Sequence, residues 1–140
     1  MWLFYAFLSA FMAALVAIFA KLGLKELDST LATTIRAIIM ALFLVLVSFF
    51  FNKFDAFTLT SLSSREWILI VLAGIAGALS WLFYFFALKN GVATEVVAID
   101  RLSIVFVVIL AALFLGEGFG WKVVLGALFM AGGAILITLK

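Results

Sequence analysis

Five apolar runs, each long enough to cross a bilayer as a helix and joined by short polar links, leave this chain no route to a water-soluble core. They read as helices at about 2–21, 30–51, 67–88, 94–115 and 121–139, against the roughly 17–25 residues that a hydrocarbon core demands. Only 11% of the 140 residues are charged, where a soluble domain averages about 25%. The sequence therefore predicts an all-α integral membrane protein, with residues 1–140 forming a single five-helix domain. No basic residue precedes the first run, so it is expected to be a retained helix rather than a secretory signal.

The missing residue types exclude most chemistry. There is no cysteine and no histidine, which removes disulfides, thiol nucleophiles, haem ligation and Ser-His or Cys-His catalysis. No metal cluster or nucleophile–base pair is legible, so neither an enzyme nor a cofactor is expected. The net charge of +2 is spread along the chain and gives no footprint for nucleic acid. Proline is absent as well, so any bend must come from glycine or from inserted side chains.

Local signals place the ends. Ser29 or Thr30 is expected to cap helix two, and Thr94 helix four. Asn52 to Glu66 reads as the longest polar connection, and Glu117 is expected to order the turn after helix four. GEGFG at 116–120 is a turn, not a phosphate loop, because no Gly-Lys-Ser/Thr follows. Small residues in the third run, Gly74 and Gly77 among them, and Gly126 and Gly132 in the fifth, are expected to serve close helix packing.

An odd number of spans puts the termini on opposite sides. Trp2, Trp67 and Trp121 each begin a helix on one side, as an interfacial belt would. Lys21, Lys25, Lys89 and Lys140 flank the other side, against Lys53, Arg65, Lys122 and the amino terminus. So little bias predicts insertion in both orientations and an antiparallel homodimer.

Three charges lie deep. Arg36 sits roughly 9–10 Å inside helix two at 1.5 Å per residue, and Asp100 and Arg101 about as deep in helix four. Trp81 and Tyr84 come to a comparable level on helix three and share a face at i, i+3. Buried ionisable residues are costly in a bilayer and mark solute pathways. Arg36, Trp81, Tyr84, Asp100 and Arg101 are therefore the expected substrate-binding layer, with self-pairing or snorkelling of Arg36 as the alternative. Lys21 and Lys89 are expected at the interface or on the pathway.

The same stretches resemble a single EamA-type repeat of the drug/metabolite transporter superfamily. They are AKLGL at 20–24, ATTIRA at 32–37, REW at 65–67, GALSWLFYFFALKNG at 77–91, AIDRLS at 98–103, FLGE at 114–117 and the glycines of the last helix. Most members carry two such repeats in opposite orientations, so this chain is similar to the five-helix branch. The resemblance implies that helices one to four shape a cavity, that the fifth supports contact between repeats, and that two copies rebuild the transporter. Many family repeats carry a proline early in helix four, where this chain has Leu102-Ser103, so an unbroken helix is expected here. The small multidrug resistance relatives use a glutamate in helix one as a proton-coupled cation site, and helix one here has no acid.

These readings together predict a small secondary transporter of the inner membrane, moving a small polar metabolite by alternating access as a homodimer. Arg36 and Arg101 would receive a carboxylate or phosphate, and Asp100 would hold them or bind an amine. The rivals are a lipid-linked sugar flippase, or its subunit, and an accessory membrane protein that transports nothing.

Overall fold

The computed structural model describes residues 1–24, 26–54, 62–116, 118 and 120–139. Lys25, Glu117 and Lys140, and most of the link after the second helix, lie outside these residues. Among the described residues all regular structure is helical: α1 (Trp2–Gly23), α2 (Ser29–Phe50), α3 (Ser64–Asn90), α4 (Ala93–Asp100), α5 (Ser103–Leu110), a π-helical turn (Ala111–Leu115) and α6 (Trp121–Thr138). Five stretches are long and apolar enough to cross a membrane, with Ala93–Leu115 counting as one. This is the five-span architecture read from the sequence.

The helix ends are set by specific side chains, and here the sequence reading needs correction. Asp28, not Ser29 or Thr30, caps α2: its Oδ1 accepts from the Thr30 N–H at 2.9 Å and the Leu31 N–H at 3.0 Å. A carboxylate can take two of the orphan first-turn donors at once, and it sits at the positive end of the helix dipole. The bond from Leu31 holds the Asp28 carboxyl below its ordinary range, with Thr30 and the nearby Lys89 charge adding to the effect. Because the folded value is depressed, this stabilisation is present above the ordinary Asp range and fades as pH falls through the folded value. Asp28→Ala is expected to lower the melting temperature in detergent at neutral pH and to flatten its fall on acidification. Asp28→Asn, which keeps an acceptor, should recover most of the loss.

The other end of α2 closes with Asn52 at φ 51°. Lys53 N–H bonds to Ser48 O at 2.9 Å and Asn52 N–H to Phe49 O at 3.0 Å, the paired bonds of a Schellman end, in which asparagine stands in for glycine. α3 begins at Ser64, earlier than the apolar run suggests. Ser63 N–H and Oγ both donate to Glu66 Oε2, at 2.7 and 2.8 Å, and Glu66 N–H returns a bond to Ser63 Oγ. That capping box draws Arg65 and Glu66 into the first turn. Thr94 does not cap α4; Val92 precedes the helix and gives no side-chain bond.

The fourth span is broken after all. Leu102 N–H bonds to Ile99 O at 2.9 Å, Ile104 N–H to Arg101 O at 3.2 Å, and Val105 N–H to Leu102 O at 2.9 Å. These are i→i+3 bonds, so one tight turn at Arg101-Leu102 separates α4 from α5 without a proline. Further on, the Gly116 N–H reaches back to Ala111 O in a π-type bond, and Gly116 ends the span at φ 68°, a left-handed value that glycine adopts at little cost.

Two compact units divide the chain. The first comprises Met1–Leu22 with Asn90–Lys140, the second Gly23–Lys89. In the first, α4 and α5 pack against α6 and bury the small residues Ala98, Ala127 and Ala134, so the backbones approach closely. In the second, the buried residues are Ser29 of α2 and Phe85 and Leu88 of α3. Each span also turns large rings outward: Phe4, Phe43, Phe83, Phe114 and Phe129 are 63–80% exposed, as lipid-facing or partner-facing side chains are.

Candidate functional site

The second unit holds a cation against a cluster of rings. Arg36 stands seven residues into α2 from Ser29, and its guanidinium carbon lies 3.6 Å from the centroid of the Trp81 ring and 5.6 Å from that of Phe85. Such a distance is a face-on stack and is attractive when water is scarce. The rings brace one another. Trp81 meets Tyr84 edge-to-face at 5.5 Å and Phe85 at 6.0 Å, while Tyr84 and Phe85 are 6.3 Å apart. Their i, i+3 and i+4 spacing on α3 brings them together, and Phe85 is buried at 3% exposure.

The stack fixes the guanidinium at the level of Trp81, roughly two and a half turns before α3 ends. Arg36 is half-buried, and its neighbours in this unit are rings and Tyr84, with no carboxylate among the described residues of the unit pairing with it. The geometry has a chemical consequence. Stacking occupies one face of a planar cation and leaves its N–H edge available, and that edge matches an acceptor with two oxygens.

Arg36 also continues a polar line on α2. Ser29, Thr33 and Arg36 recur at i, i+4 and i+7 and so share a face. The Thr33 hydroxyl donates to Ser29 O at 2.7 Å. The Ser29 hydroxyl is completely buried, with no hydrogen-bond partner among the described residues.

Of the residues singled out from the sequence, Arg36, Trp81 and Tyr84 are brought together. Asp100 and Arg101 belong to the first unit, where both are exposed; Asp100 is the last residue of α4 and Arg101 lies in the tight turn that follows. Lys21 Nζ donates to Gly91 O at 2.7 Å within the first unit, and Lys89 Nζ to Leu27 O at 2.9 Å within the second. Each lysine thus ties the last turn of a helix to a neighbouring chain reversal. A methyl group placed on Gly74, Gly77, Gly126 or Gly132 would meet nothing within 4 Å; the close approach inside the first unit runs through alanines instead. Phe85 and the α4–α5 turn were not anticipated. Phe85 was legible as the i+4 neighbour of Trp81, whereas no signal in this chain's own residues marks the turn.

Comparison with known proteins gives concordant results. The model of the EamA-like transporter family matches residues 1–139. A Sinorhizobium sp protein named as an uncharacterized transporter in the cobO 3' region is 39% identical over 137 residues, covering 98% of this chain and 96% of that protein. No solved structure gives a significant match.

Proposed function

Since the chain belongs to the EamA-like transporter family, we propose that it is a secondary transporter that moves a small polar metabolite by alternating access, as a homodimer. The observation that carries this reading is Arg36: a permanent charge about two turns inside a span, stacked on Trp81 at 3.6 Å and paired with no carboxylate among the described residues of its unit. A cation kept there for stability alone would be expected to pair with an acid, because leaving a charge uncompensated in a bilayer is costly. A solute that arrives with its own negative group supplies the missing partner on each cycle.

In this reading Trp81 and Tyr84 shape the cavity, and Arg36 orients the solute through two parallel hydrogen bonds. Outward-facing glycines on α3 and α6 and the apolar rings of every span offer surface to a second copy, in keeping with the near-zero charge bias of the links. Gradient-driven exchange between two access states, with a site near the midplane, is the general scheme for inverted repeats.

A thermal-shift screen in detergent, covering amino acids, sugar phosphates and amphipathic cations, followed by uptake of the hits into proteoliposomes, tests the function. A saturable stabiliser that is also transported supports it; a screen in which nothing stabilises the protein counts against it. Orientation is tested separately. C-terminal tags are expected to be readable from both faces of the membrane, and a single orientation would sink the antiparallel arrangement.

A further inference from the structure

Resting on the reading of Arg36 as a solute contact, we propose that the Arg36–Trp81 stack selects a monoanion: a planar carboxylate joined to a small apolar body. Charge decides the first part. Among the described residues, Arg36 carries the only formal charge in the interior of α2 and α3, the other ionised side chains of that unit lying in links or end turns. A single negative charge on the solute neutralises it. A phosphate monoester, at about −1.5 to −2 near neutral pH, would leave charge uncompensated where solvation is poor. Cations meet a like charge, and neutral solutes leave the guanidinium without a counter-charge.

Shape decides the second part. With the indole covering one face of the guanidinium at 3.6 Å, the ligand must approach along the edge, in the plane of the fork, where two coplanar oxygens fit. Around the stack the half-buried Trp81 and Tyr84 rings, set edge-to-face at 5.5 Å, present apolar surface with one phenolic hydroxyl. That surroundings suits a short hydrocarbon body rather than a polyol. A soluble short-chain acid and a fatty acid dissolved in the bilayer share this chemistry.

Trp81 itself reports the binding. In a Trp2→Phe, Trp67→Phe, Trp121→Phe variant held in phosphatidylcholine nanodiscs, Trp81 is the remaining indole, and its emission can be titrated with butyrate, palmitate, succinate, methyl phosphate, butyramide and butylamine. Butyrate is expected to give a saturable change, with succinate and methyl phosphate weaker by at least about tenfold and the amide and amine silent. If palmitate outcompetes butyrate, the carboxylate comes from the membrane; if it does not, from solution. Either result leaves the monoanion selection standing. Arg36→Gln should abolish the response, and Arg36→Lys, which keeps the charge without the fork, should weaken it while preserving the order of ligands. Succinate or methyl phosphate binding as tightly as butyrate, in an Arg36-dependent way, overturns the monoanion selection but not the site. A response that survives Arg36→Gln overturns the site itself, and a titration in which no carboxylate binds overturns the selection.

Discussion

Arg36→Ala is expected to cut the initial rate of solute uptake into proteoliposomes by about ten- to a hundredfold, with the protein still extracted and eluting as wild type does. The magnitude follows from the bond that is lost. A hydrogen bond to a charged group contributes about 1.5–3 kcal/mol, and each 1.4 kcal/mol is a factor of ten. Stability should hold because the guanidinium stacks on Trp81 without pairing to an acid in its own unit, so its removal strands no buried carboxylate there. Arg36→Lys separates charge from shape. An ammonium is a point charge that can neither stack as a plane nor offer a two-pronged edge, so an intermediate rate is expected. Unchanged uptake in Arg36→Ala would remove this residue from the pathway.

A second large effect concerns proline in the fourth span. Inside a helix, proline costs about 3 kcal/mol or more, because it deletes an i→i−4 bond and its ring strikes a carbonyl. Val107→Pro, in the body of α5, should therefore reduce yield and melting temperature severely. Ser103→Pro should not. Ile99 O already accepts from Leu102 N–H, and Ser103 is the first residue of α5, the helical position where proline fits best. The remaining cost is the restriction placed on Leu102, whose ψ of −15° is not where a residue before proline prefers to sit. Equal damage from the two substitutions, measured by thermal unfolding in detergent, would contradict the i→i+3 turn described at Arg101-Leu102.

How far could the residues be read without coordinates? Five spans were plain, because length and hydropathy leave helices as the main alternative to a closed barrel in lipid. Arg36, Trp81 and Tyr84 were legible as a group because helical rise converts sequence position into depth. The ends were harder. Ser29, Thr30 and Thr94 are good capping residues by type, yet Asp28 takes the role in α2 because one carboxylate oxygen satisfies two amides. The turn after Asp100 has no mark in this chain's own residues, and only the proline that many family repeats carry at Leu102-Ser103 points to the place. It lies in a shift of hydrogen-bond partners by one residue, made without proline or glycine, and nothing in the periodicity of AIDRLS records it. Asp100 and Arg101 were grouped with Arg36 by depth, which gives a level along a helix and not an azimuth around its axis; they belong to the other unit.

The ring-stacked guanidinium also bears on how an energised membrane survives a transporter in it. Arginine stays protonated at any physiological pH, so the positive charge beside Trp81 is fixed, and fixed positive charge in a narrow polar passage raises the electrostatic barrier to hydronium and sodium. Rings in place of an acid mean that no carboxylate among the described residues of that unit cancels the barrier in the empty protein. Between cycles the pathway would be sealed against the ions whose gradients the cell maintains, and the barrier would fall only when a negative solute sits on Arg36. Ion tightness and solute recognition would then be properties of one side chain, and loss of Arg36 should appear in vesicles as cation leak as well as lost uptake.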